Sequence, residues 1–264
     1  PEAGYRGADQ FDFRVTDGHG LTSTATVSVG VGPAVHTIDQ SALFDGTSDH
    51  LEFTPASTPD SRNKVTYSYW FKREGLHTGE RAVHFIDAGV GNDIIRIDAL
   101  DRFQVLLGGG GNANVLTSST YTDTSVWTHW VVSIDTTQAV ASDRIRIFEN
   151  GSEVTSMAAA VYPTRNFALD FLDPGSVQHI GVKGDGTQHL DGRLSEFVAV
   201  DGARLDASSF GSFEDGVWRP SDVSGLDVGT NGFRLDFADA GNLGADASGH
   251  GNDVSVVGLD GSAV

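Results

Sequence analysis

Apolar residues recur at every second position along most of this chain, a period of two that marks half-buried strands. Gln10–Thr16 sets Phe11, Phe13 and Val15 on one face, Asp17-Gly18-His19-Gly20 supplies a turn, and Leu21–Val31 alternates again. Ala42–Phe53 reads as strand, turn, strand, and Thr66–Lys72 as a strand. Ala82–Ile86, Ile94–Ala99 and Phe103–Leu107 follow at the spacing of a β-meander. Gly108–Asn114 reads as a flexible glycine loop. Trp130–Asp135 interleaves apolar and polar residues, Arg144–Phe148 alternates as R-I-R-I-F, and Asn150-Gly151 gives a two-residue hairpin signal. Gln178–Val182, Leu190–Val200 and the alternating Phe233, Leu235 and Phe237 complete the series. No long stretch keeps a period of 3.6, and only Asp206–Phe213 reads as a short helix.

This pattern predicts an all-β chain with two parts. Two strands cannot bury a core alone, so residues 1–32 read as a hairpin belonging to a neighbouring unit. The Gly30-Val31-Gly32-Pro33 region reads as a junction, with 33–35 as linker and 36–264 as the main domain. The competing reading makes the hairpin part of the main sandwich. The length, 264 residues, suits one large sandwich with a small second unit. The chain opens mid-pattern at Pro1 with no signal peptide, as a piece of a longer protein would.

Composition narrows the function. A net charge of −19 repels a phosphate backbone, which argues against nucleic acid as a partner. No apolar run approaches the length of a membrane-spanning helix, so no membrane insertion is expected. Cysteine is absent, which removes disulfide and thiolate chemistry. The excess carboxylates serve either solubility in a salty medium or Ca²⁺ binding.

The run Trp127-Thr128-His129-Trp130, with Glu149-Asn150-Gly151 closing the following strand, resembles the middle of the concanavalin A-like, laminin G-like jelly-roll family. The resemblance covers residues 36–260 and implies a two-sheet antiparallel jelly-roll sandwich. Gly7, Asp9, Phe11, Phe13, Val15, Asp17, Gly18 and Gly20 resemble the last hairpin of a bacterial cadherin-like or Ig-like repeat. Together they resemble the large RTX-type bacterial adhesins. That implies a secreted or extracellular cell-surface, monomeric, Ca²⁺-assisted module that binds glycans, neutral sugars first. The order of the tail segments also resembles domains of marine phage structural proteins and bacterial surface proteins. A structural or assembly role is therefore the alternative, with a glycan-active enzyme behind it.

Catalytic signals are missing from the sequence. No E-x-D-x-x-E pattern sets paired carboxylates on one strand face. Asp170 and Asp173 sit in a loop-like stretch without a glutamate partner, and no H-E-x-x-H, G-x-S-x-G or P-loop occurs. The chain is therefore expected not to be an enzyme.

For calcium, the resemblance implies a site where the first and last strands lie close together. It would use Asp45 and Asp49 from the F-D-G-T-S-D turn, with Asp191 and Glu196 from L-D-G-R-L-S-E. The competing reading is that Asp45 and Asp49 bond their own turn backbone. The same choice applies to Asp246, Ser248, Asn252 and Asp253. His129 reads as a packed residue, and His179, His189 and His250 lack zinc-ligand spacing.

Alternation points Ile95, Ile97, Phe103, Val105, Ile145 and Ile147 inward. That leaves Arg96, Asp98, Gln104 and Arg146 outward as candidate glycan contacts, with Asn112 and Asn114 on the glycine loop. A solvated cross-strand ion network is the competing role. Trp70, Trp127 and Trp130 read as core, and Trp218 as the exposed tryptophan.

Overall fold

The computed structural model describes residues 7–31, 36–76, 83–89 and 91–260. The expected linker at 33–35 and the first residue of the Ala82–Ile86 strand lie outside them. The chain divides into two compact units, Pro1–Thr37 and Ile38–Val264.

In the first unit β1 (Gly7–Thr16) pairs antiparallel with β2 (Thr22–Val31). Asp17 closes the turn by accepting the backbone N–H groups of His19 and Leu21. Phe11, Phe13 and Val15 form one exposed apolar stripe.

The second unit holds β3 (Ala42–Asp45), β4 (His50–Phe53), β5 (Lys64–Arg73), β6 (Val83–Ala88), β7 (Asp93–Ile97), β8 (Phe103–Leu107), β9 (Ala113–Thr117) and β10 (Thr128–Asp135). These are followed by β11 (Ile145–Glu149), β12 (Ser152–Glu153), β13 (Met157–Val161), β14 (Gln178–Ile180) and β15 (Asp191–Asp201). The last are β16 (Gly211–Glu214), β17 (Val217–Pro220), β18 (Phe233–Leu235) and β19 (Ser255–Val257).

Among the described residues one sheet runs β12-β11-β10-β5-β15-β18, with β3 also on β15, and the other runs β13-β9-β8-β7-β6-β14-β4-β19. All pairs are antiparallel. The expected two-sheet sandwich is present, and Ala42–Phe53 is strand, turn, strand as expected and forms its corner. β3 joins the first sheet and β4 the second.

The core between the sheets is the set that alternation selects. Ile95, Ile97, Phe103, Val105, Ile145 and Ile147 pack there with Tyr67, Tyr69, Phe71, Trp130 and Phe197. Asn150 and Gly151 both take positive φ, 45° and 78°, which gives the hairpin turn its twist.

Three expectations change. Ala113 and Asn114 belong to β9 rather than to the glycine loop. The helix is confined to a 3-10 turn at Ala207–Ser209, and Phe213 stands in β16. Trp218 lies in β17, not in a loop.

Part of the outer face of the first sheet is also covered. Val131, Phe148, Val198 and Val200 project outward and pack under Ala207, Phe210, Val223 and Val228, with Trp218 at the margin. This second layer explains why β10 and β15 are apolar on both faces.

Candidate functional site

On β5, Tyr67, Tyr69 and Phe71 point into the core, so Trp70 between them points out. Its register neighbours are His129 on β10 and Ser195 on β15. Trp127, one residue before β10, is 37% exposed and reaches the same outer face. The stretch Ile38–Ser41 lies alongside, tied down where the Ser195 hydroxyl donates to the Gln40 carbonyl. Together Trp70, Trp127, Asp39, Gln40, Ser41 and Ser195 line an open cleft of about 340 Å³, with Ile38 and Pro220 at its margins.

The cleft rests on a rigid aromatic base. The Trp70 ring lies 4.9 Å from His129, and the Trp218 ring lies 5.9 Å from His129 on a near-parallel plane (24°). Trp218 Nε1 donates to His129 Nδ1 at 3.0 Å. An indole nitrogen only donates, so Nδ1 is the acceptor and Nε2 carries the imidazole proton. Nε2 then donates to Ser68 Oγ at 2.9 Å. Burial holds the His129 pKa down to about 3, so the ring is neutral through the physiological range. The packed role expected for His129 is the one observed, whereas Trp218 is partly covered and bonded rather than a free platform.

Such a cleft offers two kinds of contact. Indole surfaces bury apolar ring faces, while Asp39, Gln40 and Ser41 supply hydrogen-bonding groups at the edge.

The residues singled out from the sequence fall elsewhere. Arg96, Gln104 and Asn114 form a row across β7, β8 and β9 on the outer face of the second sheet. Arg96 Nε donates to Gln104 Oε1 at 2.8 Å, and Gln104 Nε2 to Asn114 Oδ1 at 2.9 Å. Asp98 closes its own turn and pairs with Arg102 at 2.7 Å, which holds its carboxyl below the usual range despite burial. Asn112 is exposed on the glycine loop. Arg146 belongs to the other sheet, where it bonds Glu153 at 2.5 Å and Asp206 at 2.9 Å. The six therefore do not make one surface, because alternation gives parity on a strand but not which sheet the strand joins.

Of the four expected calcium ligands, Asp45, Asp49 and Asp191 lie at one corner, and Glu196 stands apart. Asp45 and Asp191 are register partners at the sandwich corner, and Asp49 follows in the same turn. Asp45 Oδ1 accepts the backbone N–H groups of Thr47, Ser48 and Asp49, and Oδ2 accepts the Thr47 and Ser48 hydroxyls. Asp49 Oδ2 accepts the Asp45 N–H at 3.1 Å. Burial and the neighbouring Asp45 charge raise the Asp49 carboxyl. Glu196 stands five residues along β15 from Asp191, at a bulge, and is bound by Arg234.

Asp246 behaves like Asp45. It accepts the backbone N–H groups of Arg234, Ser248 and Asn252, while Asp253 accepts that of Asp246. Among the described residues no three His, Asp or Glu side chains stand close enough together to hold a metal ion. At both turns the carboxylates are engaged by nearby backbone N–H groups.

Comparison with known proteins accords with this architecture. The model of the concanavalin A-like lectin/glucanases superfamily matches residues 45–208, and that of the bacterial Ig domain matches residues 1–30. No curated protein matches the chain.

Among solved structures the chain is similar to the native heptameric SAP-like pentraxin from Limulus polyphemus, at 15% identity and a TM-score of 0.44, covering 65% of this chain and 80% of that one. It is similar to Trypanosoma rangeli sialidase in complex with the inhibitor DANA, at 14% identity and a TM-score of 0.46, covering 69% of this chain and 28% of the sialidase. It is also similar to the Ruminococcus gnavus IT-sialidase CBM40 bound to α2,3 sialyllactose, at 11% identity and a TM-score of 0.37, covering 59% and 88%.

Proposed function

The chain belongs to the concanavalin A-like lectin/glucanases superfamily, and from that premise we propose that it binds carbohydrate through the Trp70–Trp127 cleft without turning it over. The observation that carries this reading is two partly exposed tryptophans lining one cleft beside Asp39, Gln40 and Ser41. A pyranose has apolar faces and polar edges, and this lining answers both.

Among the described residues lining the cleft, Asp39 is the one carboxylate. Glycoside hydrolysis needs a pair, about 5 to 9.5 Å apart, so the lining supports binding rather than cleavage. The charge of −19 disfavours polyanionic polymers, which leaves neutral sugars as the first ligands. No part of the proposed binding runs through calcium.

The bacterial Ig match at residues 1–30 supports placement of the module in a secreted or surface-attached repeat protein of the adhesin type. No helix among the described residues is long and apolar enough to cross a membrane.

A glycan array tests the reading. The wild type is expected to give a defined set of neutral-glycan hits that Trp127→Ala loses. A silent array, or hits that Trp127→Ala leaves unchanged, would overturn it.

A further inference from the structure

A second cleft lies on the other side of the same two strands. It holds about 400 Å³ and sits at the end of the sandwich, where Phe71 and Trp130 of one sheet face Ile97 of the other. Strand alternation makes both clefts. Trp70 and Trp127 line the first, and their chain neighbours Phe71, Val126 and Thr128 line the second.

The electrostatics of the second cleft are one-sided. Arg73 is only 3% exposed, and its guanidinium is already engaged by Asp101 Oδ1 and the Tyr121 carbonyl, each at 2.7 Å. Glu149 also lines the cleft, half-buried, and among the described residues no cation lies against it. Burial raises its carboxyl, offset in part by the Tyr121 hydroxyl beside it. Asp123, exposed at the rim, adds a second negative charge, held ionised by the Ser125 hydroxyl and N–H. Tyr121 stands edge-on to Trp130 at 4.7 Å and gives the wall an aromatic surface. A half-buried carboxylate beside an aromatic wall suits a cation that is itself partly desolvated.

We propose that this second cleft binds a primary ammonium group carried on a sugar ring, with Glu149 as its counter-charge. The sugar part rests on the carbohydrate reading of the neighbouring cleft; the ammonium part rests on Glu149 and the cleft around it.

Calorimetric titration of the whole chain tests this with two probes of equal length, a glucosamine oligomer with free amines and its fully N-acetylated counterpart. The free-amine oligomer is expected to bind about tenfold or more tightly, the scale of one charge-assisted contact. Glu149→Gln is expected to erase that difference while leaving the acetylated oligomer unchanged. Equal affinity of the wild type for both oligomers overturns the proposal without any need for the variant, and so does a preference that survives Glu149→Gln. If neither oligomer binds, the carbohydrate reading fails for these sugars, and Nα-acetyl-lysine amide decides the remainder. Binding of that amine that is lost in Glu149→Gln sustains the ammonium site with a protein side chain as its source, and no binding overturns it.

Discussion

Acidification should destabilise this domain through His129, by an amount the structure sets. The ring is 1% exposed, sandwiched between Trp70 and Trp218, with both nitrogens bonded. Its folded pKa is about 3 against the ordinary histidine value of 6.5. The unfolded chain therefore takes up a proton that the folded chain refuses. The stabilisation from this group is complete above about pH 6.5 and is lost as the pH falls from there towards 3. At pH 4.5, about two units below the unfolded value, the loss is roughly 3 kcal/mol at ~1.4 kcal/mol per unit.

The assay is urea unfolding at pH 7 and pH 4.5, in the wild type and in His129→Gln. Glutamine can accept from Trp218 and donate to Ser68 but does not titrate in this window. The quantity read is the difference between the two proteins' pH effects, in which every other titrating group cancels. It should be about 3 kcal/mol, with the wild type losing more on acidification. Parallel behaviour of the two proteins, within about 0.5 kcal/mol, would refute the assignment of a buried neutral imidazole.

Three further outcomes follow from the same geometry. Asp93, fully buried and accepting the N–H groups of Gly108 and Asp170, has its pKa pushed up to about 6. Its folded value exceeds its unfolded one, so its share of stability is greatest below about pH 4 and is lost as the pH rises through 6. Asp93→Asn should remove that component, roughly 3 kcal/mol between those limits, in the same urea assay. At Gly151, φ is +78° and an added Cβ would stand 2.2 Å from the Trp218 ring. Gly151→Ala should therefore cost about 2–4 kcal/mol and shift the near-ultraviolet circular dichroism of the tryptophans. Excess chelator should leave the melting temperature within about 1 °C, because the Asp45 turn is held by its own backbone; a fall of several degrees, reversed by Ca²⁺, would restore calcium to the account.

The sandwich was legible because its central strands carry strict alternation. T-Y-S-Y-W-F-K and R-I-R-I-F each assign an inward face by parity alone, and the structure follows it. β9 and β13 were not legible. One emerges from a glycine-rich run, and the other, M-A-A-A-V, is a largely exposed edge strand of small residues with no apolar face to announce it.

The cleft was half legible. Parity places Trp70 with Ser68 and Lys72, opposite the core tyrosines, and that signal could have marked it as outward-facing. What no local pattern carries is that Trp127 and the stretch Ile38–Ser41 arrive beside it, since those contacts join segments far apart in the chain. The scattering of Arg96 and Arg146 onto opposite sheets has the same cause. Turn chemistry, by contrast, is local, and the Asx pattern around Asp45 and Asp246 could be read directly.

The most direct test of the central claim is a calorimetric titration of the strongest glycan-array ligand into the wild type and Trp70→Ala, with melting temperatures recorded alongside. Binding through the cleft predicts an affinity at least tenfold weaker, or lost, in Trp70→Ala, about 1.4 kcal/mol or more, in a protein that still melts cooperatively. Undiminished affinity in that folded variant would contradict the account.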